Sequence, residues 1–212
     1  VQSTTMNALQ IFDATRPLGR LPNPVRRDRR PGVDTGMRPA ITLKAALLVA
    51  SLVLTGCLGM PDKVSPVTGF ELQRYLGKWY EIARLDHSFE RGLTRVSAEY
   101  SLRDDGGVAV VNRGYSQDDA QWQQAEGKAY FVDGSDKGYL KVSFFGPFYG
   151  SYVIFELDQE AYQYAFVSGP STSYLWLLSR TPSVDEAVLQ RFLREAARLG
   201  FDTSSLIYPQ EK

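Results

Sequence analysis

The stretch Leu93-Thr94-Arg95-Val96-Ser97-Ala98-Glu99-Tyr100-Ser101-Leu102-Arg103 decides the fold class. Val96, Ala98, Tyr100 and Leu102 share one parity, and Arg95, Ser97, Glu99, Ser101 and Arg103 share the other. Successive side chains of an extended chain point to opposite faces, so this is a strand with one dry face and one wet face. Asp104-Asp105-Gly106-Gly107 then supplies a tight turn, and Val108 to Gly114 runs back as the antiparallel partner.

The same pattern repeats outward from this hairpin. Lys78 to Leu85 reads as a strand in front of it. Behind it come Trp122 to Val132, Tyr139 to Phe145 and Tyr152 to Leu157, then Tyr162 to Ser168 and Tyr174 to Arg180. The intervening stretches are turn chemistry: Asp133-Gly134-Ser135-Asp136-Lys137-Gly138, the aromatic turn Gly146-Pro147-Phe148-Tyr149-Gly150, Asp158-Gln159-Glu160 and Gly169-Pro170-Ser171. Eight strands joined in sequence by short turns predict an all-β, eight-stranded antiparallel up-and-down barrel.

One helix follows. Ser183 and Glu186 have capping-box spacing, and Val184, Val188, Leu189, Phe192, Ala196 and Leu199 form an apolar stripe. Gly200 is placed to end the helix, with Phe201 over its last turn. A single amphipathic helix after eight strands is expected to lay its stripe on the outside of the barrel. The alternative, a helix lying on a membrane surface, is disfavoured by the mixed signs of its polar face.

The upstream part is of another kind. Met37-Arg38 and Lys44 precede a nearly pure apolar run, Ala45 to Leu54, which ends in small residues before Cys57, the one cysteine of the chain. A basic start, an apolar stretch and a small-residue end make a secretory signal over 37–56. The run is too short to span a bilayer, which needs roughly 20 apolar residues. Residues 1–36 contain Pro17, Pro22, Pro24, Pro31 and the cluster Arg26-Arg27-Asp28-Arg29-Arg30, with no apolar period. They read as disordered, or as a segment upstream of the true start at Met37. Residues 57–69, with Gly59, Pro61, Pro66 and Gly69, read as a tether, leaving 70–212 as the folded domain.

Charge follows the same division. Residues 1–56 hold eight Lys/Arg and three Asp/Glu, and the remainder sixteen and twenty-one, so the overall neutrality masks an acidic domain. It carries no basic stripe of the kind nucleic acid requires. Once Cys57 is modified no thiol remains for a disulfide, so the domain rests on its core alone.

An eight-stranded barrel is just wide enough to hold one small ligand if its inward side chains leave room. Twelve tyrosines and three tryptophans suit the lining of such a cavity, because each offers a large apolar face with one polar atom. Parity places Trp79 inward and with it Glu81 and Ala83; on the second strand Val96, Ala98 and Tyr100 point in. On the last strand Tyr174, Trp176 and Leu178 share parity with Arg180. Phe144, Tyr149 and Tyr152 complete the candidate lining, and a ligand's polar end is expected at the mouth near Tyr149 and Trp176.

Two resemblances sharpen this reading. Leu54-Thr55-Gly56-Cys57 resembles a bacterial lipobox, which implies cleavage before Cys57 and its lipidation; Leu58, not aspartate, implies sorting to the outer membrane. Gly77-Lys78-Trp79-Tyr80 resembles the lipocalin Gly-x-Trp signature, approached by Phe70 and Tyr75-Leu76, and Arg180 ends the last strand in Leu177-Leu178-Ser179-Arg180-Thr181-Pro182. In that family the arginine stacks across the tryptophan and closes the barrel floor. Glu81 to His87, Phe89 to Gly92, Tyr100 to Gly107 and Lys141 to Gly150 are similar to the bacterial outer-membrane lipocalins, and the resemblance covers 68–208.

The resemblance implies storage or transport of fatty acids or lysophospholipids at the outer membrane by a lipid-anchored, periplasm-facing protein, with a homodimer known in the family. No cofactor or metal is expected. Many secreted lipocalins tie the C-terminal segment with a disulfide; here Leu206, Ile207 and Tyr208 are expected to dock it by packing. A small barrel enzyme is the second reading. It rests on His87, the single histidine, expected at the rim, and the chain lacks Gly-x-Ser-x-Gly, His-Glu-x-x-His and phosphate-loop motifs. A structural lipoprotein with a filled barrel is the third.

Overall fold

The computed structural model describes residues 58–210 of the 212. The expectations for 1–36, for 37–56 and for Cys57 lie outside the described residues. The element order is α1 (Leu72–Tyr75), β1 (Gly77–Leu85), β2 (Leu93–Leu102), β3 (Val108–Ser116), β4 (Gln121–Phe131), β5 (Tyr139–Phe145), β6 (Phe148–Leu157), β7 (Tyr164–Ser168), β8 (Leu175–Ser179), α2 (Glu186–Leu199) and β9 (Leu206–Ile207). From β2 to β8 each strand pairs antiparallel with the next, and β1 pairs with both β8 and β2. That closes an eight-stranded barrel, to which β9 adds along β1. All eight predicted strands form. The β5–β6 turn is shorter than expected, because β6 already starts at Phe148 and pairs it with Phe145.

Closure of the sheet separates two apolar cores. The inner one contains Phe70, Tyr75, Trp79, Tyr100, Val108, Val110, Ile154, Val167 and Leu178. The outer one lies under α2, where Phe192, Ala196 and Leu199 meet Ile82, Val153, Phe166 and Leu177. Phe192 stands edge-on to Phe166 at 5.1 Å and is fully buried, so it contributes roughly 1.5–3 kcal/mol by burial alone. The helix stripe is thus spent on the barrel wall and is not free for a lipid surface. Gly200 adopts a left-handed conformation (φ 94°), and Phe201 N–H reaches back to the Ala196 carbonyl at 3.0 Å, closing the last turn as expected.

Four local expectations are corrected. The Ser183–Glu186 capping box does not form: α2 starts at Glu186 after Asp185, with no side-chain cap. Ser183 is held in the preceding turn, where its carbonyl accepts from Thr181 Oγ1 at 2.6 Å. The tail docks by backbone pairing as well as packing, through Arg84 with Ile207 and Leu85 with Leu206. The segment read as a tether is tied down in its second half: Val64 is buried, Val67 N–H bonds Ile154 O at 2.9 Å, and Val67 O accepts from Gly138 N–H at 2.9 Å.

The fourth correction bears on the site. A register shift between Glu81 and Ala83 puts one extra residue into β1. Such a bulge reverses the alternation beyond it. Glu81 pairs with inward Leu178, but Ala83 pairs with Leu177 and belongs to the outer core, while Arg84 pairs with Trp176 and turns inward. Parity read straight through from Trp79 therefore misplaces Ala83 and hides Arg84.

Candidate functional site

The barrel holds a cavity of about 790 Å³, within the range of ligand pockets. The cup stays open because β4 presents Ala125 and Ala129 to it, and Ala98, Gly114 and Gly150 border it from other strands. Gly127 has little freedom to be larger, since a Cβ there would come within 2.8 Å of the Phe144 ring and 2.9 Å of the Ser143 carbonyl.

The floor is aromatic. Trp79 is fully buried, donates from its indole N–H to Tyr75 O at 2.7 Å and stacks on the Tyr75 ring at 4.6 Å. Arg180 lies under Trp79, its guanidinium carbon 3.9 Å from the ring centroid. It donates to the carbonyls of Arg74, Lys78 and Tyr162, so one side chain ties α1, β1 and the β6–β7 turn together. Gly77 supports this closure with φ 89°, a conformation suited to glycine, and a Cβ there would lie 3.6 Å from Arg180 Nη1. Above the indole, the hydroxyls of Tyr75 and Tyr152 are 2.7 Å apart and those of Tyr152 and Tyr100 2.9 Å apart. Burial pushes all three hydroxyls above the ordinary tyrosine range, so they remain protonated.

The wall toward the mouth is charged. Arg84 donates from Nη1 to Glu81 Oε1 at 2.8 Å and from Nη2 to the Glu90 carbonyl at 2.7 Å. Glu90 Oε2 lies 2.9 Å from His87 Nε2, off the line of a hydrogen bond, and 3.3 Å from the donating Trp176 indole nitrogen. Asn112 Nδ2 reaches Glu90 Oε1 at 3.5 Å. All four charged or titratable groups, Glu81, Arg84, His87 and Glu90, are buried. Burial and the neighbouring Glu90 raise the Glu81 carboxyl well above its usual range, against the pull of Arg84. Burial also acts to raise Glu90, but His87, Arg84 and Trp176 outweigh it and hold that carboxyl below its usual value. The β1–β2 loop is thereby strapped to the wall.

Of the residues the sequence singles out, Glu81, Val96, Ala98, Tyr100, Phe144, Tyr152, Tyr174 and Trp176 line the cavity. Tyr149 borders it, but its ring packs with Tyr130 at 6.4 Å and under the Lys141 ammonium at 5.2 Å, neither of which lines the cavity. Tyr75, Glu90, Asn112 and the buried Arg84 are the site residues that sequence reasoning misses. Tyr75 precedes the first strand and Glu90 sits in a loop, where no periodicity reports direction. His87 is near the rim but buried, its ring tilted against Phe89 at 4.0 Å and Trp176 at 5.2 Å. Among the described residues, no cluster of three or more His, Cys, Asp or Glu is placed to hold a metal ion.

A closed eight-stranded antiparallel barrel with a hollow interior and an external helix defines a ligand-binding barrel protein. The chain belongs to the lipocalin family: the profile of the lipocalin-like domain matches residues 70–211. It is 65% identical over 166 residues to the outer membrane lipoprotein Blc of Vibrio cholerae, covering 78% of this chain and 97% of that one. It is 52% identical over 172 residues to the Escherichia coli K12 protein of the same name, covering 81% and 97%. Insecticyanin of the tobacco hornworm Manduca sexta, a solved structure at 23% identity, shares the fold with a TM-score of 0.57 over 71% of this chain and 86% of its own.

Proposed function

We propose that this protein binds and stores or carries single-chain lipids, fatty acids and lysophospholipids, as a lipid-anchored lipocalin on the periplasmic side of the bacterial outer membrane. The observation that carries the reading is the 790 Å³ cup that the described side chains leave unfilled, mostly apolar in its lining and open at one end. Each buried methylene contributes about 0.8 kcal/mol, so a sixteen-carbon chain supplies on the order of 10 kcal/mol before ordering costs. No covalent step is needed, and His87 is engaged by Glu90 and two aromatic rings. Membership in the lipocalin family and the relatives named outer membrane lipoprotein support the placement, with Cys57 as the acylated residue. Two or more acyl chains there anchor the protein firmly.

Native mass spectrometry of delipidated protein exposed to palmitic acid or a palmitoyl lysophospholipid tests the binding reading. A one-to-one adduct with a change in tryptophan emission is expected; no adduct with either lipid sinks it. Metabolic labelling with radioactive palmitate, lost in Cys57→Ser, tests the anchor.

A further inference from the structure

The tyrosine group on the floor has a hydrogen-bond count that does not close. The three hydroxyls of Tyr75, Tyr100 and Tyr152 hold three protons and six lone pairs. The two contacts, at 2.7 and 2.9 Å, use two of each. Whichever way the protons point, one O–H and four lone pairs have no partner among the described residues. All three residues line the cavity, and Tyr75 and Tyr100 are more than nine-tenths buried. The floor therefore offers a donor and an acceptor together, at the deepest point of an apolar cup. A buried donor left unpaired is costly, and a ligand group that accepts from it recovers that cost.

The mouth has the opposite character. Its wall exposes Glu81 and Glu90 to the cavity. Arg84, the cation beside them, has both terminal nitrogens committed to Glu81 and to the Glu90 carbonyl. Among the lining residues Arg113 is the one cation, and it is engaged by Glu99 at 3.1 Å and Gln124 at 2.8 Å. A carboxylate placed at the mouth meets like charge and no free cation. Arg180, beneath Trp79, puts a positive charge under the floor.

We propose that a fatty acid binds head-down: the carboxyl, in its protonated form, sits on the Tyr75–Tyr152–Tyr100 hydroxyls and the tail runs toward the mouth. The acid's carbonyl oxygen accepts the spare tyrosine proton, and its own O–H donates to a tyrosine oxygen. This reverses, for this ligand, the orientation expected from the sequence; a lysophospholipid, whose head is too bulky for the floor, keeps its head at the mouth. The inference rests on the lipid-binding reading above, and its test separates the two.

The probe is palmitic acid labelled with carbon-13 at the carboxyl, bound to the delipidated protein and followed by NMR. Head-down binding predicts a bound carboxyl resonance that stays at the protonated position from about pH 5 to 8, where a carboxyl in water is ionised. A bound resonance that titrates as it does in water places the carboxyl at the mouth and overturns the orientation while leaving lipid binding intact. Absence of any bound resonance overturns the head-down proposal and removes fatty acids from the lipid-binding reading, which then stands or falls on the lysophospholipid adduct. The proton count makes a second prediction. Tyr75→Phe and Tyr100→Phe each leave one spare O–H and Tyr152→Phe leaves two, so each of the three single changes shifts palmitic acid affinity less than about threefold. Removing all three weakens it about tenfold, with hexadecane, which has no acceptor, unaffected. One single variant matching the triple, or an equal loss for hexadecane, refutes the assignment; should the triple variant fail to fold, the resonance in wild-type protein decides alone.

Discussion

The closed end of the barrel is corked by aromatic rings over an arginine, whereas the wall near the open end is braced by buried charge. At the closed end Arg180 sits at the surface of the cork. Its charge faces a ring and three carbonyls and is half-buried, so it gives up part of its hydration but less than a fully buried cation. Near the mouth, Glu81, Arg84, His87 and Glu90 are all taken out of water, and their attraction must offset that cost. The two ends thus show two ways to fix a barrel without a disulfide. One fills the interior with side chains; the other ties a loop back to the wall and leaves the interior empty.

The sharpest break in this comparison is Trp79→Ala. Trp79 is fully buried between Tyr75 and Arg180, and the cavity left behind merges with the cup. A loss of about 3–5 kcal/mol in urea unfolding is expected. A loss below about 1 kcal/mol would mean that the floor is not what closes the barrel.

Arg84→Met tests the other end. It leaves two buried carboxyls without their cation and should cost about 3–4 kcal/mol. Adding Glu81→Gln to it removes one of those carboxyls and should recover a good part of the loss. If the double variant is no more stable than Arg84→Met, the cluster is not held by charge compensation. Arg180→Met is expected to cost less, about 1–2 kcal/mol, because water replaces much of what the guanidinium supplies to the three carbonyls.

Ala125→Phe changes neither end and fills the space between them. Ala125 borders the cavity opposite Asn112, and its substitution should move stability by less than about 1.5 kcal/mol while strongly reducing palmitic acid uptake. Unchanged uptake would show that the cup is not where the lipid goes.

How far the sequence reveals these two ends differs for a physical reason. The closed end is legible because Gly77, Trp79 and Arg180 act at fixed motif positions, and because the alternation of β2 runs unbroken from Ser97 through Tyr100. The charged wall is not, because two bulges set it up. One lies between Glu81 and Ala83; the other lies between Thr94 and Ser97, where Arg95 takes φ 51°. Alternation counts residues, and a bulge adds one without any mark in residue type. The C-terminal segment seals the backbone these bulges open: Gln210 donates to the carbonyls of Glu81 and Val96, and Arg95 N–H bonds Pro209 O at 2.7 Å. That role for Gln210 has no sequence signature, since a glutamine near a terminus reads as solvated surface.

The smallest effect concerns pH, and it separates the two buried carboxyls by sign. Glu81 is raised in the fold, chiefly by burial and then by Glu90, so its contribution is full below its unfolded pKa and is lost as pH rises through the folded value. Glu90 is held below its ordinary value by His87, Arg84 and Trp176 against the effect of burial. Its contribution is present above the unfolded pKa and is lost as pH falls through the folded value. Stability should therefore decline on both sides of a maximum, with Glu90 shaping the acid limb and Glu81 the limb above it. Urea midpoints measured from acid to mildly alkaline pH should show that Glu81→Gln flattens the upper limb and leaves the acid limb in place, because the amide cannot be forced to ionise. A Glu81→Gln profile parallel to wild type throughout would mean that Glu81 ionises as freely in the fold as out of it, and the charged wall would then be as well hydrated as the surface.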